Sequence, residues 1–408
     1  MRICGMPKPV LPATHIRLAA ITACATAFAY GAFLLNALRR GMWIVDGSGH
    51  PIVTDFLPVY AAGLMARSGG AAIAYDWQRL HDFQVTLVGH PFAGYLGWLY
   101  PPLYFAVASA LTVLGYLPAF LSWVGVTSAC FGLVVARIAR HPMAAWMALA
   151  LPPTLACALV GQNGFFSAIL FGFMLLCLRN SRPVLAGVVL AALAFKPQLG
   201  LLIPFALAAG GYFRTLFVAA LLSLAWICTC LWIAPASLVG FLHYLPQTSH
   251  AILTEGTTGW VKLQSVYALM RVLGGGDGLG WTAQILAVLL AGGFCAWFWR
   301  QRAISFDLKA AALTAGALLS TPYLYFYDLP LLVLPVAFLF RDGAFDRRES
   351  AGVATIVLLL IGNVALNGPF GLAAVMLVAA LIVRRTFARL GDSEDVANSQ
   401  STLLQNPV

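Results

Sequence analysis

Leu99-Tyr-Pro-Pro-Leu103-Tyr-Phe-Ala-Val-Ala-Ser-Ala-Leu111-Thr-Val-Leu-Gly115-Tyr-Leu117 is the stretch on which the topology of the chain turns. A helix needs about 20 apolar residues to cross about 30 Å of hydrocarbon. This run is apolar enough to try, but it opens on a Pro-Pro pair and meets the next apolar run at Gly115 and Pro118. Whether it crosses sets the side of every later loop, and the basic residues decide. If it does not cross, the loops 1–17, 137–142, 179–183, 211–214, 300–309, 341–350 and 384–408 are cytoplasmic and hold 17 of the 24 Lys and Arg residues. If it does, only Arg2, Lys8, Arg17, Lys196, Lys262 and Arg271 remain inside. Cytoplasmic loops carry the excess of Lys and Arg. The stretch 99–117 therefore reads as a re-entrant or interfacial helix that begins and ends on the outer side.

The rest of the composition agrees with a membrane solvent. Of the 408 residues, 61% are hydrophobic and 9% charged, too little polar surface to cover a water-soluble globule. The formal net charge of +10 sits in small Arg clusters at the ends of apolar runs, as topology signals do, so no nucleic-acid partner is implied. The N-terminal run, preceded by Arg2, Lys8 and Arg17, is long enough for an uncleaved anchor. Spans are expected at 18–37, 118–136, 143–160, 164–178, 184–195, 199–210, 215–233, 281–299, 303–319, 329–340, 351–366 and 370–383. That makes an all-α polytopic membrane protein with about twelve crossings and both termini cytoplasmic. Two long outer segments interrupt them, 38–117 with short juxtamembrane helices and 234–280 with His243, His250, Glu255, Trp260 and Lys262. The polar segment 391–408 reads as a disordered cytoplasmic tail.

Chemistry gathers where apolar runs break on the outer side. Val53-Thr-Asp55-Phe-Leu-Pro-Val-Tyr60 follows a polar turn, and Asp55 can be either a helix cap or a working carboxylate. Asp76 after Tyr75 reads as a turn or cap. The run 184–195 gives only roughly 18 Å of helix, which leaves Lys196-Pro-Gln198 below the membrane surface. A lysine at that depth costs at least about 2.5 kcal/mol unless it faces water or an anion. Similar breaks occur at Gly161-Gln162-Asn163-Gly164 and at Thr321-Pro-Tyr-Leu-Tyr325-Phe-Tyr327-Asp328. Gln162 and Asn163 can be a simple turn, and Asp328 a cap. The eight cysteines lie mostly inside apolar runs and read as fillers. No His pair has ligand spacing, so no metal is expected, and no nucleotide or hydrolase motif occurs. A carboxylate can take a proton from a hydroxyl, a lysine can neutralise a departing phosphate, and aromatic faces suit sugars and isoprenoid chains. That set matches sugar transfer from a lipid monophosphate carrier.

Asp55-Phe-Leu-Pro-Val-Tyr60-Ala-Ala-Gly63, Tyr75-Asp76, Tyr100-Pro-Pro-Leu103, Gly161-Gln-Asn163, Lys196-Pro-Gln198 and Thr321-Pro-Tyr323 through Asp328 together resemble glycosyltransferase family 87. Its members are membrane enzymes of the C-type fold that use polyprenyl-phosphate sugars and include mannosyltransferases. The resemblance implies one transmembrane domain over 1–390, with Asp55 as general base. It puts Lys196, Gln198, Tyr325, Tyr327 and Asp328 at the donor phosphate or lipid, and Tyr60, Tyr100, Gln162 and Asn163 around the substrates. It implies no cofactor, a polyprenyl-phosphate-linked donor, a glycolipid or glycan acceptor, and a plasma (bacterial inner) membrane location with the site facing outward. Relatives often carry a His in the last motif, where this chain has Tyr325, Phe326 and Tyr327. A transporter or flippase of lipid-linked sugars is the alternative; it would need alternating access, often built from inverted repeats, and no such symmetry is visible.

Overall fold

The computed structural model describes residues 13–405, with side chains at 21 and from 23 to 390. The N-terminal segment with Arg2 and Lys8 lies outside the described residues, and so do the side chains of 391–408. Among the described residues the chain is helical, with isolated β-bridges and no strand.

The elements follow in order as α1 (Ala13–Arg39), α2 (Leu57–Arg67), α3 (Trp77–Val88), α4 (Phe105–Leu111), α5 (Tyr116–Ala139) and α6 (Met143–Leu149). Next come α7 (Pro152–Val160), α8 (Gly164–Arg179), α9 (Pro183–Ala192), α10 (Ile203–Ala209), α11 (Phe213–Ile233) and α12 (Pro235–Ser249). The last are α13 (Val266–Val272), α14 (Asp277–Arg300), α15 (Phe306–Ser320), α16 (Val333–Asp342), α17 (Arg347–Leu366) and α18 (Phe370–Gln405). The backbone of α18 stays helical as far as Gln405, into the segment read from composition as a disordered tail.

Among the described residues, five helices are long and apolar enough to cross a membrane: Tyr116–Ala139, Phe213–Ile233, Asp277–Arg300, Arg347–Leu366 and Phe370–Leu390. The pair α6 and α7, bent by 66° at Leu151, counts as a sixth. These make the chain a polytopic helical membrane protein. The expected first span, 18–37, lies within the 27-residue α1, whereas other segments counted toward about twelve crossings are shorter helices, Gly164–Arg179, Pro183–Phe195 and Pro197–Ala209 among them. They end at Pro, Gly or polar residues, and irregular backbone at membrane depth is tolerated where protein covers it. Helix α15 shows how: Ala310, Ala311, Ala312, Ala315, Gly316 and Ala317 are buried, and their small side chains let α14, α16 and α18 approach closely.

The segment 99–117 contains one short apolar helical piece, Pro102–Leu111. At 1.5 Å per residue it covers about 15 Å, half of what a crossing requires. It packs on α2: Tyr60 Oη donates to the Leu114 carbonyl at 2.9 Å and Arg67 Nη1 to the Thr112 carbonyl at 2.8 Å. Asp76 caps α3, its Oδ1 accepting the Arg79 N–H at 3.1 Å.

The bundle has two polar ends. At one, Arg179 closes α8 and pairs with Asp307 at the start of α15 (2.7 Å), Arg385 of α18 pairs with Glu349 of α17 (2.7 Å), and Arg389 holds Asp342 of α16 (2.9 Å). The other lies at the start of α8, the end of α15 and the approach to α16. The 16 residues of α8 separate them by about 24 Å.

Candidate active site

Asp55 sits in the turn before α2. That helix begins at Leu57 after the N-cap Phe56, with Pro58 in its first turn and no side-chain cap, so the Asp55 carboxyl is not used as a cap. Its Oδ2 accepts the Gln162 amide at 3.2 Å. Phe56 anchors the turn by packing edge-on against Tyr116 (5.5 Å) and Phe120 (5.2 Å).

Gln162 owes its place to Gly161, which ends α7 in the left-handed region at φ +69° with Phe120 and Phe56 against it. A Cβ at this position would stand 2.7 Å from the Phe120 ring, so conformation and space both call for glycine. Gln162 Oε1 then accepts the Asn163 N–H (3.1 Å) and the Tyr100 hydroxyl (3.3 Å). Asn163 Oδ1 in turn accepts from Lys196 Nζ at 3.1 Å, and the same ammonium pairs with Asp328 Oδ1 at 2.5 Å. The other Asp328 oxygen accepts the Tyr325 N–H at 3.3 Å. One continuous hydrogen-bonded path thus runs from Asp55 through Gln162, Asn163 and Lys196 to Asp328, joining four segments of the chain.

Backbone geometry makes the path possible. Lys196 precedes a proline and adopts φ −134°, ψ 69°, outside the helical region as a pre-proline residue prefers. Short 3-10 turns on either side, Leu193–Phe195 and Pro197–Gly200, bring its side chain round toward Asn163 and Asp328. The last contact needs α8 to start directly against the 321–328 loop. Gly164 permits it, since a Cβ there would lie 1.9 Å from the Tyr327 carbonyl oxygen.

The second long segment closes over this loop. Tyr323 Oη bonds Ser249 Oγ (2.6 Å), Tyr325 Oη meets Thr258 Oγ1 (3.1 Å), and the Gln264 N–H donates to the Leu324 carbonyl (2.5 Å) beside a Leu263–Tyr325 bridge. Tyr325 and Tyr327 stack at 5.1 Å and 11°.

Burial raises the Asp55 carboxyl above its ordinary value; the Gln162 donor and the Lys262 ammonium pull it back, while the Asp328 charge adds to the rise. A carboxylate made more basic in this way is better suited to taking a proton from a hydroxyl.

Of the residues singled out from sequence, Asp55, Tyr100, Gln162, Asn163, Lys196 and Asp328 share the network, with Tyr325 and Tyr327 against it. Tyr60 does not reach it, since its hydroxyl is spent on Leu114 and its ring on Tyr116 at 5.1 Å. Gln198, half-buried, makes no side-chain hydrogen bond. Thr258, Ser249 and Lys262 join the site's surroundings without a local pattern that marks them. No group of three or more His, Cys, Asp or Glu stands together among the described residues.

Two apolar hollows lie within the bundle, and none of the network side chains lines either. One, of about 360 Å³, lies between α5, α6 and α16, α17; its lining runs from Leu329 and Leu332 to Phe340, Phe345 and Ser350. The other, of about 240 Å³, is lined by Pro101, Pro102, Pro197, Trp226 and Phe241, next to Lys196.

The sequence profile of Glycosyltransferase family 87 matches residues 98–322. The match takes in Tyr100, Gln162, Asn163, Lys196 and Lys262, and leaves Asp55 and Asp328 on either side. No curated protein and no solved structure matches the chain.

Proposed function

The chain belongs to glycosyltransferase family 87, and on that footing we propose that it moves a hexose, with mannose the first candidate, from a polyprenyl-phosphate carrier to a hydroxyl of a glycolipid or glycan acceptor. Transfer takes place at the outer face of the plasma membrane and inverts the anomeric centre. The acceptor hydroxyl gives its proton to Asp55 while its oxygen attacks the anomeric carbon. The bond from that carbon to the phosphate oxygen breaks on the opposite face, and its electron pair leaves with polyprenyl phosphate. Lys196 has three N–H donors, of which Asn163 and Asp328 take two; the third serves a phosphate oxygen. The stacked Tyr325 and Tyr327 flank the same position, and Tyr100 offers a ring to the sugar.

The observation that carries this reading is the path from Asp55 to Asp328, a half-buried carboxylate held in register with a buried lysine inside a membrane bundle. The Arg-rich belt at the other end supports the outward orientation.

Asp55→Asn, assayed in membranes supplied with labelled polyprenyl-phosphate-mannose, is expected to lose about 10²- to 10⁴-fold in rate, the usual contribution of a general base. Undiminished transfer would remove Asp55 from the mechanism.

A further inference from the structure

One Lys196 N–H serves a phosphate oxygen in the scheme above, but the charges on the network do not balance a phosphate. Asp55 and Asp328 bring two negative charges against the single positive charge of Lys196, and Asp328 already holds that ammonium at 2.5 Å with both side chains buried. A phosphodiester that becomes a more highly charged monoester as its sugar leaves needs a cation that is not already spent. Arg271 is not one, being occupied by the Thr254 carbonyl (3.0 Å), Asp277 (3.7 Å) and the face of Trp260 (4.3 Å).

We propose that Lys262 is the cation that holds the donor phosphate and compensates the charge of the departing polyprenyl phosphate. The inference rests on the donor class assigned above and adds a residue to it. Lys262 ends the single 3-10 turn Trp260–Lys262, and the chain then runs directly into the Leu263–Tyr325 bridge and the Gln264 to Leu324 hydrogen bond. Its backbone is thereby tied to the loop that presents Tyr325, Tyr327 and Asp328. The turn is itself well braced: Trp260 Nε1 donates to the Leu253 carbonyl at 2.7 Å beneath the Arg271 guanidinium, and Lys262 N–H donates to the Gly259 carbonyl at 3.1 Å. The Lys262 side chain is exposed and has no hydrogen bond or ion pair with a described residue. The backbone links of Leu263 and Gln264 set it at the edge of the tyrosine loop, and its ammonium helps to lower the Asp55 carboxyl. Lys196 organises that network through Asn163 and Asp328, and Lys262 supplies charge that no described residue takes up. This chain carries no His in the tyrosine loop, and Lys262 brings a cation to its edge from another segment. The lysine takes no part in proton transfer; it binds the phosphate oxygens before and after the carbon–oxygen bond breaks.

The test uses the full-length protein in detergent with polyprenyl-phosphate-mannose as donor, comparing wild type, Lys262→Met and Lys262→Arg. The Met variant is expected to lose about 10²-fold in kcat/KM for the donor, the scale set by removing one preorganised charge-stabilising group. Inhibition by polyprenyl phosphate should weaken in the same variant, with inorganic phosphate as the lipid-free control, while the acceptor KM stays unchanged. Lys262→Arg should recover most of the loss, which a merely structural role would not allow. Because the lysine is exposed and unpaired, unfolding midpoints should be equal across the three proteins. A Met variant with wild-type donor kcat/KM and wild-type inhibition overturns the role of Lys262 and leaves the donor class standing. Wild-type protein that neither uses the mannosyl donor nor is inhibited by polyprenyl phosphate overturns the donor class, and this inference with it.

Discussion

Replacing Lys196 with Met tests whether its charge is spent on Asp328. The two groups lie 2.5 Å apart with side chains 7% and 2% exposed, and methionine nearly matches lysine in length, so the substitution leaves a stranded charge and little cavity. With charge centres about 4 Å apart and an effective dielectric of about 20, the attraction is about 4 kcal/mol. Desolvation offsets most of that while the pair is intact, but removing one member costs about 3–5 kcal/mol because the other stays buried and unpaired. Asn163 Oδ1 loses its donor at the same time. Neutralising the stranded group in the same chain, with Asp328→Asn, should recover at least about 2 kcal/mol, the non-additivity expected of residues in contact. The assay is a four-member cycle of unfolding free energies, measured by titrating mixed micelles with a denaturing detergent. Strictly additive single variants, or a Lys196→Met protein as stable as wild type, would show that the ammonium is not committed to Asp328.

Gln162→Leu removes a donor that holds the Asp55 carboxyl down against burial. The base works when ionised, so activity is full above its pKa and falls as pH drops through it; the acidic limb of kcat/KM should move to higher pH, and a shift to lower pH would contradict the assignment. Gly164→Ala puts a methyl 1.9 Å from the Tyr327 carbonyl oxygen and should cost about 1–3 kcal/mol of stability with a matching loss of transfer. Gly293→Ala, with open space around it, is the control and should be neutral or stabilising in the same unfolding assay. Arg385→Met breaks the buried pair with Glu349 at the far end of the bundle and should cost about 3–5 kcal/mol. Its kcat per folded molecule should remain that of wild type, read from activity normalised to the folded fraction.

Much of the architecture was legible because helices in lipid advertise themselves locally. The run read at 118–136 lies within α5, 215–233 coincides with the end of α11, and 281–299 falls inside α14. The breaks at 161–164, 196–198 and 321–328 were visible as Pro, Gly and polar residues in apolar surroundings. Asp76 was legible as a cap for the same reason, its partner Arg79 being three residues away. Helix length was harder to read. Crossing counts taken from apolar runs assume lipid on every face, whereas α15 is surrounded by protein and can be short and rich in alanine.

By itself, the sequence determined that the chain is a helical membrane protein, where its apolar runs break, and which polar residues those breaks expose. Backbone periodicity and solvent preference depend on neighbours within a few turns, and so they survive in the order of the letters. Only the tertiary structure decided that Lys196 is answered by Asp328, 132 positions away, that Tyr60 is spent on α2 packing, and that Lys262 comes to the edge of the tyrosine loop. A charge acts through the distance between folded segments and not through their separation along the chain.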